Sequence, residues 1–445
     1  MDRKRAFTVA SLGLVLAGCA GSAQRTTPVG PADIPALEAE RQQRPNDPAV
    51  LTRLGIAYYE SKDYGRSRDV LRSASVIESR SFPAAVYLAL AYEELGVLDS
   101  ARASYNRAAT LTQSPAQREE LNGRLALLTR KELQQDARTA LSQEASLAST
   151  PPVENTVAVF PFRYRGANEE LRPLERGLSH LILTDLSKVS RLRLLERERV
   201  QVLLDEMRLT DSNRVEPSSG ARSGRMLRAA RVVQGSLQDQ AQRLRLDANV
   251  VDATSSTVTA TGAATDRLQQ LFEVEKQVVL QLLERMGINL SPAERRAISE
   301  RPTADLQAFL AFSRGLEAED RGDFQEAANQ FNAALQRDPN FRSARDKRQQ
   351  NLQLAATIQL TPPELAGIEG ISDRAGDPTS TQTPRTVTLQ NVISGSVPSH
   401  GGLIQNQVPS GRPPVVRPSL PEALQQDDPR IPGLIGTVII IITRP

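Results

Sequence analysis

Side chains that commonly carry catalysis are scarce in this chain of 445 residues, which holds one cysteine and two histidines. His180 stands among aliphatic residues of a predicted helix, where we expect a packed histidine, and His400 stands in a proline-rich stretch. So few Cys and His side chains effectively exclude a metal cage or a Cys/His nucleophilic site. The sequence also has no Walker loop, no glycine-rich dinucleotide turn after a strand and no Gly-x-Ser-x-Gly elbow. We therefore expect a protein that is not an enzyme and that uses no cofactor or metal.

The one cysteine, Cys19, has a sequence context in which a covalent modification is expected. Basic residues at 3–5 precede a mostly apolar stretch at 6–17, which is the order of an export signal. This stretch is shorter than the roughly 20 apolar residues that a bilayer-spanning helix needs. Its ending, Leu16-Ala17-Gly18-Cys19, resembles a bacterial lipobox, which implies that a signal peptide, 1–18, is removed and that Cys19 is acylated, for example with palmitate. The alternatives are an ordinary signal peptide cleaved near Ala23 and a buried structural thiol.

A lipid anchor, rather than charge, is expected to hold this lipoprotein at a membrane. The formal net charge is +3, and it falls to +1 when residues 2–5 leave with the signal. A nearly neutral chain does not attract nucleic acid electrostatically, so we expect protein or peptide partners in the cell envelope instead. Ala20 replaces the aspartate that retains lipoproteins in the inner membrane. This favours the outer membrane, with the protein facing the periplasm.

The first third of the mature chain has a repeating helical pattern. We interpret 19–35 as a flexible tether and 36–148 as helical, because Leu54-Gly55-x-x-Tyr58 recurs as Leu88-Ala89-x-x-Tyr92. A period of about 34 residues, with small residues where helices cross and aromatics between them, resembles the tetratricopeptide repeat. A generic antiparallel helical bundle is the alternative. Tyr58 and Tyr92 are expected to lie near a concave partner-binding groove.

The middle of the chain, 152–290, changes from a helical to a mixed pattern. Short apolar runs alternate with amphipathic helices in the order β-α-β-α-β-β-β-α, which predicts an α+β domain with helices packed on one sheet. The second and third of the last three strands alternate apolar and polar residues, as an antiparallel pair with one solvent-exposed face does.

The sequence of this α+β region resembles a known family. The residues that carry the resemblance are Val157-Ala158-Val159-Phe160-Pro161-Phe162, Gly177, Leu194-Leu195-Glu196-Arg197, Glu206 and Ala229-Ala230-Arg231-Val232-Val233-Gln234-Gly235-Ser236. Together they are similar to the curli-secretion lipoprotein family (CsgG) and its relatives with TolB amino-terminal-like domains. The resemblance implies no enzyme chemistry, but an envelope scaffold whose domain forms rings or docks on partners. Glu196 and Arg197 are then a family marker with a structural role at a strand–helix corner.

One member of that family forms a pore with two additional transmembrane hairpins in each subunit. A membrane strand takes about 9–11 residues of alternating character, and the two candidate positions here do not provide them. Residues 163–168 form only a short connection, and residues 209–228 are polar. A pore is therefore the alternative interpretation rather than the leading one.

The last third of the chain begins with another helical unit and ends in a biased segment. Residues 303–350 match a tetratricopeptide-like unit, which cannot bury its own face and must pack on the α+β domain, on the N-terminal repeats or on a partner. Residues 353–445 hold 13 of the 28 prolines and are predicted to be a disordered tail. The apolar run 437–442 could add as a strand to a sheet edge or be a sticky terminus.

Taken together, the sequence predicts a multidomain envelope lipoprotein that acts as a protein-binding assembly or adaptor scaffold. Its fold combines tetratricopeptide-like helical repeats, an α+β domain and a disordered C-terminal tail. The alternative function is a ring-forming subunit of an outer-membrane secretion channel, for which the chain would form a homo-oligomer.

Overall fold

The computed structural model describes residues 29–207, 216–240 and 243–368. The predicted signal peptide, Cys19, His400 and the apolar run 437–442 lie outside these described residues. All described residues belong to one structural unit, Met1–Asp373. None of the helices in these ranges is long and apolar enough to cross a membrane.

The N-terminal region is built from consecutive helices joined by short turns. These are α1 Ile34–Gln43, α2 Pro48–Glu60, α3 Tyr64–Ile77, α4 Phe82–Glu94, α5 Leu98–Leu111, α6 Pro115–Ser142 and α7 Glu144–Ala148. The starts and ends of α2 and α3 differ from those of α4 and α5 by the same offset that relates the two predicted motifs. Asp47 and Ser81 cap α2 and α4 by accepting hydrogen bonds from backbone N–H groups, and a proline stands in the first turn of each helix.

The turn inside each helix pair has the same backbone geometry. Lys62 and Gly96 stand in the left-handed region at φ 64° and 72°, and Gly322 of a third helix pair stands there at φ 80°. In each turn the next residue donates its N–H to a carbonyl five positions earlier, at 2.9–3.0 Å. The three helix pairs are therefore copies of one hairpin.

Small residues allow the two helices of a hairpin to approach closely. A methyl group at Gly55 would lie 2.4 Å from Leu71 Cγ, and one at Gly315 would lie 2.5 Å from Phe331 Cε1. The sequence separation between Gly55 and Leu71 equals that between Gly315 and Phe331. The hairpin interior thus pairs a glycine with a large apolar side chain in both copies.

The boundary of the predicted tether needs a correction. A 3₁₀ turn at Pro31–Asp33 leads directly into α1, and Val29 and Leu37 are buried in the same core as the helical hairpins. Since these side chains have a place to pack on α2, the chain is folded from residue 29 rather than from residue 36.

The second region is an α/β domain with a mixed sheet. Its strands are β1 Val153–Val159, β2 Arg163–Tyr164, β3 Arg193–Leu194, β4 Ala229–Gln240, β5 Arg243–Asp252 and β6 Val258–Arg267. Its helices are α8 Leu174–Leu186, α9 Arg197–Glu206, α10 Pro217–Leu227 and α11 Leu271–Arg285, with 3₁₀ turns at Glu169–Leu171 and Leu268–Gln270. The strand order is β3-β1-β4-β5-β6, with β2 also pairing β4. The first three strands of this order are parallel to each other, and β4, β5 and β6 are antiparallel.

The predicted order of elements is present, and the structure adds β2 and α10. The sequence suggests only a polar stretch where α10 lies, because this helix is rich in Ser, Gly and Arg. Pro217 occupies the first turn, and Ala221, Met226 and Leu227 are buried against the sheet. Packing thus stabilises a helix of low intrinsic propensity.

Helices cover both faces of the sheet at β1 and β4. Val157 and Val159 of β1 point into a core with α8 and α11, whereas Ala158 and Phe160 point into a core with α6, α9 and α10. A strand that is buried on both faces accounts for the unbroken apolar run in the sequence. The predicted alternation in β5 and β6 is confirmed by their antiparallel pairing and their alternating burial.

The third region consists of α12 Pro292–Ser299, α13 Leu306–Arg321, α14 Phe324–Arg337, α15 Arg342–Gln359 and α16 Pro362–Leu365. Helix α13 packs on α8 of the α/β domain, and α15 packs on α6 of the N-terminal region. The C-terminal helices therefore pack against both of the chain's other regions.

The predicted start of the tail at residue 353 is wrong. Helix α15 continues to Gln359, and Leu354, Leu365 and Ile368 are buried. A methyl group at Gly123 of α6 would lie 2.1 Å from Thr357 Oγ1, so the end of α15 sits tightly on α6. The segment is mostly polar, so its sequence did not indicate that its few apolar side chains are buried against α6 and α4.

Candidate protein-interaction surface

A buried charge network lies where the three regions meet, and Arg197 is at its centre. Arg197 begins α9 and is 6% exposed. Its guanidinium lies 2.5 Å from the carboxylate of Asp320 in α13, and Arg176 of α8 lies 3.2 Å from the same carboxylate. Asp320 is therefore held between two arginines from two helices of the α/β domain.

The network continues to α6 and α15. Lys347 Nζ lies 2.7 Å from Glu319 and 3.3 Å from Glu198. Arg130 of α6 donates to the backbone carbonyl of Glu319 at 2.9 Å and to that of Asp320. Burial opposes ionisation of Glu198, but Arg197 and Lys347 outweigh it and lower its pKa to about 2.

This network fixes the relative positions of five helices, so its role is structural. Arg197 ties the strand–helix corner after β3 to the C-terminal hairpin, and its assignment as a family marker stays a prediction. Glu196 stands before α9, exposed, with no side-chain bond to the helix cap.

His180 lies next to this network and is packed rather than available as a base. Its ring lies 5.2 Å from that of Phe312. Burial, together with the positive charges of Arg197 and Lys347, lowers the pKa of His180 to about 3. Within the described ranges, no group of three or more His, Cys, Asp or Glu side chains is placed to hold a metal ion.

The two tyrosines predicted to bind a partner contact the core of the helical hairpins. Tyr58 is 4% exposed, and its hydroxyl donates to the carboxylate of Glu38 in α1. Tyr92 is half-buried and packs against the core of the helical hairpins. Tyr58 therefore packs α1 on α2 and has little surface for a partner, while binding by Tyr92 stays a prediction.

The neighbouring positions form a more accessible surface. Tyr59 and Tyr64 are half-buried, and their ring centroids are 5.3 Å apart. The ring of Tyr59 also meets that of Tyr87 edge to face, with centroids 5.4 Å apart. Tyr87 is fully buried and donates its hydroxyl to Glu60 at 3.2 Å. We call Tyr59, Tyr64, Tyr87, Glu60 and Glu94 the tyrosine face.

Glu94 stands at the exposed edge of the tyrosine face. The offset between Glu60 and Glu94 is the one between Tyr58 and Tyr92, so the two carboxylates hold equivalent positions of successive hairpins. Burial raises the pKa of Tyr59 well above its usual value, and the charge of Glu94 raises it further. The Tyr59 hydroxyl is therefore neutral and lies beside a carboxylate.

The buried carboxylate of Glu93 lies next to Glu94 in α4 and stabilises the helices that carry the tyrosine face. Glu93, equivalent to Tyr59 in the next hairpin, accepts hydrogen bonds from Tyr105 at 2.8 Å, Lys131 at 2.7 Å and Arg124 at 3.1 Å. Burial opposes its ionisation, but Arg124 and Lys131 outweigh it and lower the pKa of Glu93. Since these partners come from α5 and α6, the bonds lock three helices together under the tyrosine face.

Aromatic rings next to carboxylates suit a cationic or apolar peptide side chain. A cation over a tyrosine ring gains about 0.5–1 kcal/mol at an exposed site, and a nearby carboxylate adds to this attraction. The repeated motif pointed to Tyr58 and Tyr92, because both belong to it. The available signal was the next two positions along the helix, where Glu60 recurs as Glu94 and Tyr59 is replaced by Glu93.

The α/β domain coincides with a match to a known protein family. Residues 138–260 match the family described as "Curli production assembly/transport component CsgG". The matched range begins within α6 and ends within β6.

Two individual proteins are also similar. Over 253 residues the chain is 23% identical to a protein of Rhizobium meliloti (strain 1021) described as "Putative adenylate cyclase 3", which covers 55% of this chain and 41% of that protein. The chain thus spans about two fifths of the length of this curated relative. A structure of the LpoB C-terminal domain from Salmonella enterica matches 29% of this chain and 93% of its own, at 10% identity and a TM-score of 0.22. That TM-score is too low to establish a common fold. The family match supports the predicted resemblance: this chain contains a CsgG-like domain in its α/β region.

Proposed function

We propose that the protein is a lipoprotein of the outer membrane, anchored through Cys19 and facing the periplasm, that acts as an adaptor scaffold. Its helical hairpins, which we interpret as tetratricopeptide repeats, capture a protein or peptide partner on the tyrosine face. The CsgG-like domain docks on an envelope assembly or associates with further copies. No catalytic step is part of this proposal.

The tyrosine face is the observation that carries the proposal. It combines half-buried rings with carboxylates on a helical framework whose successive hairpins share one register. The family match supports an envelope setting, because the family is described as an assembly and transport component. The charge network around Arg197 joins the hairpins to the CsgG-like domain, so a captured partner would be held at a fixed position relative to that domain.

Site-specific photo-crosslinking in intact cells tests the adaptor function. A photo-reactive amino acid at Glu94 should crosslink one or a few envelope proteins or peptides. The matched control is the same amino acid at Glu78, which is exposed at the end of α3. Crosslinks of equal yield and identity from both positions, or none from Glu94, would contradict capture on this face.

The anchor needs a separate test. A Cys19→Ser variant should leave the membrane fraction and appear in the soluble periplasmic fraction, because the acyl chains on Cys19 supply the attachment that a nearly neutral chain does not get from charge. If this variant stays fully in the membrane fraction, the lipid-anchor part of the proposal is wrong.

A secretion-channel subunit is the second candidate, favoured by the word "transport" in the family description. Detergent extraction followed by mass photometry separates the two candidates. Large rings that conduct ions in a planar bilayer would favour the channel, and monomers or small oligomers would favour the adaptor.

An assay for cyclic AMP formation from ATP tests the proposal that the protein has no cyclase activity. The relative named as a cyclase extends well beyond the matched region.

A further inference from the structure

The segment after α15 folds back onto the N-terminal helices. Pro363, Leu365, Ala366 and Ile368 are all buried, the last three within the hydrophobic core of the helical hairpins. Helix α16 contacts both α4 and α6. We call Thr361–Ile368 the clasp segment.

The clasp segment lies on the face of α6 that also carries Arg124. A methyl group at Gly367 would lie 2.6 Å from Gln117 and 3.9 Å from Phe82, so the segment turns directly over these two side chains. Gln117, Glu120 and Arg124 are spaced by three and four positions and therefore share one face of α6. Arg124 supports the tyrosine face through Glu93. The clasp segment and Arg124 therefore lie on the same face of α6, which we call the inner face.

The contacts of the clasp segment are those of a bound peptide rather than of an integrated helix. Its hydrogen bonds in the described part of the chain run within the segment, from the Thr361–Glu364 capping box to the bond from Ile368 N–H to Pro363 O at 2.9 Å. Its hold on α4 and α6 therefore depends on apolar side chains, chiefly Leu365 and Ile368.

One electrostatic contact opposes docking of the segment. Glu364 lies near Glu120 of α6, and the two like charges repel each other. Burial raises the pKa of Glu120, and Glu364 and Glu119 raise it further. A segment held by a few apolar contacts against a like charge can exchange with a competing peptide.

We propose that the clasp segment is a built-in ligand that closes one end of the inner face. A partner peptide with two aliphatic side chains at the spacing of Leu365 and Ile368 would bind the same surface of α4 and α6 after displacing the clasp segment. This inference rests on the proposed adaptor function and adds a regulatory step to it.

A peptide supplied in trans tests the clasp segment directly. The probe is a fluorescein-labelled synthetic peptide with the sequence of residues 359–370, and its binding is measured by fluorescence anisotropy. The full chain carrying Leu365→Asp and Ile368→Asp should bind this peptide at least tenfold more tightly than the unaltered chain, because its own segment no longer occupies the surface. A matched control, Ile358→Asp, places the same charge at an exposed position of α15 and should bind as weakly as the unaltered chain.

Two further measurements keep the outcome decisive. A full chain in which 361–368 is replaced by a Gly/Ser segment of equal length should also bind the peptide, and its thermal unfolding reports whether the helices remain folded. A peptide with aspartate at both aliphatic positions should not bind any variant. The proposal would be overturned if the peptide bound the unaltered chain as tightly as the two altered chains. It would also be overturned if the peptide bound neither altered chain although both remain folded. Because crosslinking at Glu94 is measured independently, failure of the clasp leaves the test of partner capture intact.

Discussion

At the scale of single residues, a buried acidic pair in the α/β core contributes to how stability depends on pH. Lys276 of α11 forms ion pairs with Asp185 of α8 and, at 3.3 Å, with Glu275. Glu275 is fully buried. Burial raises the pKa of Glu275 well above its usual value, and the nearby charge of Asp185 raises it further. One ammonium group cannot offset two buried carboxylates, so Glu275 keeps its proton in the folded state.

The predicted consequence is that Glu275→Gln stabilises the protein at neutral pH. An acid whose pKa is raised by folding makes the folded state bind more protons, so stability falls as pH rises above the ordinary glutamate pKa of about 4.3. Glutamine keeps the shape and has no such dependence. We expect the variant to gain at least about 1 kcal/mol at pH 7, since one pKa unit corresponds to about 1.36 kcal/mol, and to gain nothing at pH 4.

Urea unfolding between pH 4 and 8 measures this effect. The control is Glu284→Gln, the same change at an exposed position of α11. A gain for Glu275→Gln that does not grow with pH would show that the buried carboxyl group is not the cause.

The ion pair between Arg197 and Asp320 gives a second prediction at this scale. Asp320→Ala should destabilise the protein by about 3–5 kcal/mol, because it leaves a buried guanidinium without its main partner. Arg245→Ala removes an exposed pair with Asp247 and should change stability little. Chemical unfolding of both variants compares the two costs, and similar values would indicate that Arg197 finds other partners.

At the scale of secondary-structure elements, the hairpins depend on close contact between their two helices. Gly55→Ala should destabilise the protein by about 1–3 kcal/mol, because its methyl group would lie 2.4 Å from Leu71 Cγ. Gly65→Ala is a matched control in α3, where the nearest atom would lie at 3.8 Å. Alanine favours a helix by about 1 kcal/mol over glycine, so this control should be neutral or stabilising. A lower melting temperature for Gly55→Ala, together with an unchanged or higher one for Gly65→Ala, would support close helix contact inside the hairpin. A rise in melting temperature for both variants would contradict it.

The elements also show which parts of the fold a sequence can reveal. The hairpins were predictable because their small and aromatic residues recur at a fixed offset, and β5 and β6 were predictable because burial alternates along them. Helix α10 and the end of α15 were not, since both are polar segments that become helical by packing a few apolar side chains on other elements. Sequence spacing cannot reveal the pairing of Arg197 with Asp320, which lie far apart in the chain. The tyrosine face was missed by one position, because the direction of each side chain depends on how the hairpins stack.

At the scale of the whole molecule, α6 belongs to two regions at once. Its first half closes the helical hairpins through Leu121 and Leu128, and its second half covers the sheet through Ala137. Ala137 packs in the same core as Phe160, which directly follows β1. The match to the CsgG family also begins inside α6, at residue 138. The structural border between the two regions therefore lies within this helix rather than after it.

Two truncations test this border. Removal of 29–112 leaves α6 in place, so the α/β domain should still unfold cooperatively. Removal of 29–148 uncovers Phe160 and also deletes Arg130, which donates hydrogen bonds to backbone carbonyls of α13. We expect the longer truncation to lose the cooperative transition or to melt at least about 10 °C lower, because each kcal/mol of lost stability shifts the melting temperature of a domain of this size by several degrees. Circular dichroism melting of both proteins measures the difference. Equal melting curves would mean that α6 serves the hairpins alone, and that the adaptor and the CsgG-like domain are separable modules joined only by a linker.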